Sequence, residues 1–246
     1  MNAIVLAAGF ATRLYPLTKD RAKPLLDVAG RPVLSHIVDA MGRVPSLQRL
    51  ILVSNARFYA QFTAWRDDYA QERRPSWPID VIDDGATEAE NRCGAVADLA
   101  AAWAQATDDA PALVAAGDNL IDEDLAGHAA AFAEDPVPTI LYRHIDGVVP
   151  PRRYGEVSVD ADGRLLRFRE KPEAPETPLA ATCLYLLPGS TRALLQRYLS
   201  GGGDVDAPGS FITWLSRTTP MRARPLQGRF FDIGNLESLA RARAMF

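Results

Sequence analysis

Apolar positions in this chain alternate between short continuous runs and stretches of helical spacing. Ala3 to Ala7, centred on Ile4, Val5 and Leu6, is a short apolar run that stops at Gly9, the pattern of a buried strand. Pro32 opens a segment in which Val33, Leu34, Ile37, Val38 and Met41 recur at helical period. Leu50 to Val53 reads as a second buried strand, Phe58 to Glu72 as an amphipathic helix, and Ile79 to Ile82 as a third strand. Cys93-Gly94-Ala95-Val96 begins an alanine-rich helix running to about Ala104, Ala112 to Ala116 is a central strand, and Leu125 to Phe132 is helical. This βαβα succession predicts an α/β, Rossmann-like fold: a mixed, mostly parallel central sheet with helices on both faces. Ligands of such sheets bind outside the carboxyl ends of the strands.

The pattern changes after Pro136. Prolines punctuate the chain, Thr139 to Arg143 is a strand, and Asp160-Ala161-Asp162-Gly163 is a turn between the alternating segments Tyr154–Val159 and Leu165–Phe168. That predicts a hairpin and hence a small β-rich lobe. Ala180 to Leu186 follows as a strand, Gly189 to Leu199 and Asp206 to Leu215 as helical segments, Pro220 to Leu226 as an extended piece, and Asn235 to Ala244 as a terminal helix capped by Asn235. Gly201-Gly202-Gly203 is a flexible break, because no strand feeds it. The 246 residues therefore read as one domain, with halves at about 1–135 and 136–234 and a terminal helix at 235–246.

Composition narrows the partners. The net charge of -4, from 27 Lys+Arg against 31 Asp+Glu, offers no basic field for a nucleic-acid backbone, so none is expected. Met1-Asn2-Ala3 enters the first strand without a basic leader, and no apolar stretch approaches membrane-spanning length, so a cytoplasmic protein is expected. Cys93 and Cys183 lack zinc-type spacing and read as ordinary thiols. No repeat or heptad sets an oligomeric state, and a homo-oligomer stays open.

Candidate chemistry begins at the first loop. Gly9 to Thr18 is built of small residues around one cation, Arg13, and Lys23 returns a second. Small side chains let backbone N–H groups approach a phosphate chain, Arg can fork two oxygens and Lys acts as a point charge. Asp118 stands just after Gly117 at the end of the central strand, where a carboxylate is placed to hold Mg²⁺. Asp83 and Asp84 follow the third strand and are expected to end it and cap a turn.

Taken in order, Leu6-Ala7-Ala8-Gly9, Thr12-Arg13-Leu14, Pro16-Leu17-Thr18 and Lys23-Pro24-Leu25-Leu26 resemble the signature of the sugar-1-phosphate nucleotidyltransferases. The resemblance continues through Gly117-Asp118-Asn119, Tyr154-Gly155, Glu170-Lys171-Pro172 and Phe231-Asp232-Ile233-Gly234. It implies a nucleotide-binding first half, with Leu6, Ala8, Gly9, Thr12, Arg13, Lys23, Gly94 and Asp118 at the nucleotide, and a sugar-phosphate-binding second half. There Gly155 would offer its backbone to the sugar, Glu170 accept from its hydroxyls, Lys171 bind its phosphate and Thr182 face it. Asp232 would join Asp118 as the second Mg²⁺ ligand. Many family members carry glycine where this chain has Ala11, and usually also where it has Cys183, and the segment from Glu88 to Arg92 departs from the expected base-contacting turn.

The activity so implied is attack of a sugar-1-phosphate oxygen on the α-phosphorus of a nucleoside triphosphate, with Arg13, Lys23 and Asp118 as catalytic residues. An anionic nucleophile needs no strong general base, which suits a chain with three histidines. Two alternatives stay beside it: a cytidylyltransferase acting on a non-sugar phosphate such as phosphocholine, and a non-catalytic nucleotide-sugar-binding subunit. A glycosyltransferase of similar fold is disfavoured, because Gly117-Asp118-Asn119-Leu120 is not an Asp-x-Asp pair.

Overall fold

The computed structural model describes residues 1–106 and 109–246. In chain order its elements are β1 (Asn2–Leu6), β2 (Asp27–Val28), β3 (Arg31–Pro32), α1 (Val33–Gly42), β4 (Arg49–Ser54), α2 (Tyr59–Arg73), β5 (Ile79–Asp83), α3 (Ala95–Ala104), β6 (Ala112–Ala116) and β7 (Asn119–Ile121). There follow α4 (Ala126–Glu134), β8 (Thr139–His144), β9 (Glu156–Val159), β10 (Leu165–Arg169), β11 (Leu179–Leu187), α5 (Thr191–Ser200), α6 (Pro208–Leu215), β12 (Arg222–Pro225), β13 (Phe230–Asp232) and α7 (Leu236–Met245).

The main sheet runs β10-β9-β11-β6-β1-β4-β5, with β8 also paired to β11 and β12 to β8. The strands β6, β1, β4 and β5 are mutually parallel; β11 joins β6 antiparallel and begins the other half. Strand side chains alternate between faces, so each central strand feeds two cores. Ala3, Val5, Leu50, Leu52 and Leu113 meet α1, α2 and α4 on one side. Ile4, Leu6, Ile51, Val53 and Val114 meet α3, α5 and α6 on the other. The expected helices on both faces follow from this alternation, and the hairpin β9–β10 forms the outer edge of the antiparallel half.

A third, smaller core decides where the first loop lies. Leu14, Leu26, Val28, Val33, Leu120, Ile233, Leu239 and Ala242 pack together, joining the loop after β1 to β13 and α7. Asn235 caps α7 as expected, accepting from Ser238 N at 2.8 Å.

The outer lobe has its own anchor in Glu156, almost fully buried at the start of β9. Arg169 Nε donates to its carboxylate at 2.7 Å and Thr177 N at 2.6 Å, and Glu176 N makes a third bond. Burial pushes this carboxyl upward, but the Glu176 and Thr177 amides and the Arg169 guanidinium outweigh it and hold it below the ordinary glutamate range.

Candidate active site

The carboxyl ends of β1 and β6 lie side by side because Gly117 has no side chain. A Cβ there would stand 3.1 Å from the Ala7 methyl and 3.3 Å from the Leu6 carbonyl oxygen, to which Gly117 N donates at 2.9 Å. Asp118 is thereby delivered next to the first loop, where Lys23 forms an ion pair with it. The sequence has three lysines, Lys19, Lys23 and Lys171, among many arginines. Two of them, Lys23 and Lys171, line one cleft of about 340 Å³ together with Gly9, Asp118, Glu170 and Asp232.

Asp232 reaches that cleft through a short antiparallel ladder in which Asp232 lies opposite Asn119. Ile233 N closes it on the Asp118 carbonyl at 3.5 Å. Burial raises the Asp232 carboxyl above its ordinary range, the negative Asp118 raises it further, and Lys23, Arg153 and Arg143 oppose both. Two acidic side chains crowded into a half-dry space are stabilised by added positive charge. Two carboxylates offering oxygen ligands at a cleft wall fit a hard divalent cation.

On the far wall, Gly155 is dictated by packing: a Cβ would lie 2.6 Å from the Phe168 ring. Glu170 presses against α6, where a Cβ on Gly209 would stand 1.8 Å from Glu170 Oε2. Burial raises its carboxyl, and the neighbouring Lys171, whose Nζ is 3.4 Å from Oε1, lowers it. Lys171 holds a left-handed backbone, φ 42°, that few non-glycine residues adopt. Thr182 lines the cleft, but its hydroxyl donates to the Leu141 carbonyl at 2.8 Å, and its own carbonyl accepts from Asn119 Nδ2 at 2.6 Å. The hydroxyl expected to face a sugar is committed to joining β11 to β8.

Arg13 and Thr12 differ from expectation. Both are exposed on the loop and neither is among the side chains lining the cleft. The reason is local: Ala11 takes φ 50° and ψ 42°, turning the chain into a single 3-10 turn over Thr12–Leu14, and Leu14 is the residue that turn buries. Cys183, the other position where glycine is usual in the resembled family, is also left-handed, φ 54°, at a register shift of β11.

Gly94, expected at the nucleotide, has φ 96°, and a Cβ there would stand 2.4 Å from the Val205 carbonyl oxygen. Its glycine lets α3 dock on the 205–206 segment. It nevertheless lines a second cavity of about 390 Å³ that shares Leu6, Gly9, Ala95, Lys171 and Pro208 with the cleft and adds Ala8. Asp83 and Asp84 cap the turn after β5 as expected, accepting from Gly85 N and Ala86 N at 2.8 Å each.

Two cations near Asp232 escaped the reading of the sequence, and one of them, Arg153, lines the cleft. Arg143 and Arg153 flank the Tyr154 ring, 4.9 and 5.1 Å from its centroid, and both lower the Asp232 carboxyl. Arg143 is the penultimate residue of β8, and Arg153 sits in a run of prolines and arginines that resembles any solvated loop, so neither carries a local signal.

A mixed sheet that opens a polar cleft at the carboxyl ends of its parallel strands, floored by a loop of small residues, defines a Rossmann-like protein of the nucleotide-handling kind. The nucleotidyl transferase family profile matches residues 2–245, and the chain belongs to that family. It is 25% identical over 242 residues to glucose-1-phosphate thymidylyltransferase of Streptomyces antibioticus, covering 97% of this chain and 64% of that protein. It is also 25% identical over 252 residues to the mannose-1-phosphate guanylyltransferase catalytic subunit beta of Danio rerio, covering 100% and 64%. Among solved structures, a UDP-glucose pyrophosphorylase in complex with UDP-glucose superposes with a TM-score of 0.81 at 15% identity, covering 99% of this chain and 97% of that one. The chain spans roughly half to two thirds of the length of the first curated relatives it matches, from 51% to 64%.

Proposed function

We propose that this chain transfers a nucleotidyl group from a nucleoside triphosphate to a sugar 1-phosphate, giving a nucleotide sugar and pyrophosphate. The observation that carries the reading is the meeting of Lys23, Asp118 and Asp232 with Glu170 and Lys171 in one cleft, although 95 residues separate Lys23 from Asp118. The names of the relatives, thymidylyl and guanylyl transferases acting on hexose 1-phosphates, support the same reaction type.

In the reaction a sugar-phosphate oxygen bonds to the α-phosphorus as the bond from that phosphorus to the bridging oxygen of the β-phosphate breaks. Lys23 serves the triphosphate side, and its ammonium exchanges an Asp118 oxygen for phosphate oxygens as substrate enters. Lys171 neutralises the attacking phosphate. Glu170, packed against α6, orients sugar hydroxyls. Asp118 and Asp232 would hold the divalent cation, and Mg²⁺ there would supply charge neutralisation between two anions that otherwise repel. Arg13, exposed beside the loop entrance, is left a steering role for the triphosphate. No helix among the described residues is long and apolar enough to cross a membrane, consistent with a cytoplasmic setting.

The test is pyrophosphate release across a panel of triphosphates and sugar 1-phosphates with Mg²⁺. Asp118→Asn is expected to lower turnover by about 10²-fold or more with little change in melting temperature. An Asp118→Asn protein as active as the parent removes the reading.

A further inference from the structure

The second cavity contains acidic groups that the reaction above leaves unused. Asp84 closes one side and Asp98, in the first turn of α3, another; Asp98 is only 5% exposed. Asp84 Oδ1 is spent on the Ala86 amide, but Asp84 Oδ2 is buried with no hydrogen-bond partner, and so is Asp98 Oδ1. One ligand atom from each of Asp84, Asp98 and Cys93 lies within 4.8 Å of the others. Buried acceptors left unpaired in this way are costly, and each is relieved by an arriving N–H. Two cations also line the cavity, but the Arg92 guanidinium forks the Asp206 carboxylate at 2.9 and 2.5 Å and Lys171 pairs with Glu170 at 3.4 Å.

The position limits what arrives. The cavity shares Leu6 and Gly9 with the cleft, so a nucleotide whose phosphates lie along the first loop has Asp84 and Asp98 within the neighbouring space open to its base. Bases differ in what their edges offer. Uracil and thymine present one ring N–H between two carbonyl oxygens, and those oxygens would confront the acidic pair. Adenine and cytosine present an amine beside a ring-nitrogen acceptor. Guanine alone among the common bases offers two adjacent donor nitrogens, N1–H and the N2 amine, on one edge.

Resting on the nucleotidyltransferase reading, we propose that Asp84 and Asp98 form the base-selecting wall of this site and that the nucleotide it takes is a guanosine triphosphate. Asp98 accepts from one of the two donor nitrogens and Asp84 from the other; neither touches the reacting phosphates.

The experiment measures binding of GTP, ATP, CTP, UTP and dTTP to the intact chain at pH 8, where Asp98, raised by burial to about 7, has given up its proton and can only accept, with inorganic tripolyphosphate as a probe that lacks a base. The parent is expected to bind GTP at least about tenfold more tightly than any other triphosphate. Asp98→Asn and Asp84→Asn, each made separately, should lose that preference by a similar factor while tripolyphosphate affinity stays unchanged. UTP, dTTP, ATP or CTP leading the series overturns the base assignment and leaves the transferase reading intact. So does GTP preference that survives in both variants. A stoichiometric metal ion retained by the purified protein and lost in Cys93→Ala also overturns it, because the acidic pair would then be a metal site. Failure to bind either tripolyphosphate or any triphosphate removes both proposals together.

Discussion

Ala11 gives the sharpest test of how the first loop is built. Its backbone sits at φ 50° and ψ 42°, where a Cβ crowds the following carbonyl and costs about 1–2 kcal/mol. Replacement by glycine removes that cost but adds about 0.5–1 kcal/mol of unfolded-chain entropy. It also loses roughly 0.4 kcal/mol from a methyl half-buried against the Leu14 core. The balance favours Ala11→Gly by about 0.5 kcal/mol, or a rise of about 1–2 °C in melting temperature for a domain of this size. Ala11→Val should move the other way by about 1–2 kcal/mol, since a β-branched residue fits the left-handed region poorly. Cys183→Gly relieves the same kind of backbone cost, yet it empties a packed side chain beside the cleft, so a net loss of about 1 kcal/mol is expected. Differential scanning calorimetry of the three variants measures the order. Should Ala11→Gly melt below the parent and Ala11→Val above it, the account of this loop is wrong.

Further outcomes follow from buried charge and close packing. Burial, and then Asp84, push Asp98 up from 3.8 to about 7, so the folded chain keeps a proton that the unfolded chain releases. Stability must therefore fall as pH rises from about 4 through 7, by at most about 4 kcal/mol and nearer 2 after allowing for solvent in the cavity. Urea midpoints at pH 5 and pH 8 should show this slope in the parent and a flatter one in Asp98→Asn. Glu156 has the opposite sign: its carboxyl is held low, so its contribution is present above the ordinary glutamate range and disappears as pH falls through the lowered value. Glu156→Gln should cost about 1–3 kcal/mol at pH 7 and weaken acid sensitivity, read by denaturation at pH 3 to 7. Gly94→Ala meets backbone at 2.4 Å on a positive-φ residue and should destabilise by about 2–4 kcal/mol, measured by urea unfolding. Gly209→Ala meets only the flexible end of Glu170; it should fold normally but raise KM for the sugar phosphate about tenfold or more, seen in steady-state kinetics.

Much of this was legible in the chain because long elements advertise themselves through period. Ala112 to Ala116 as a central strand, α1 from its Val33-to-Met41 spacing and the β9–β10 hairpin from Asp160-Ala161-Asp162-Gly163 all follow from side-chain alternation or turn chemistry that acts locally. The ladder of β7 and β13 was not legible. Each strand is three residues long and mixes apolar with polar side chains, so only a partner more than a hundred residues away makes it a strand. The same distance problem hid Arg143 and Arg153, whose relation to Asp232 exists only once β8 and the 150s loop fold together. Ala11 misled for another reason. Its side chain tolerates most backbones, so the sequence does not reveal that this loop demands a left-handed one and thereby sends Arg13 outward. Asp84 was half legible: capping accounts for one oxygen, and the other acquires meaning only beside Asp98.

The small core beneath the first loop has a consequence for synthesis. Leu14 shares this core with Ile233, Leu239 and Ala242, which follow it by more than 200 residues in the chain. A nascent polypeptide can pair β1 with β4 early, yet the loop after β1 has only part of its floor until residues 233–242 have been made. Proteolytic nicking ahead of α7 should therefore loosen the loop after β1 while most of the main sheet survives.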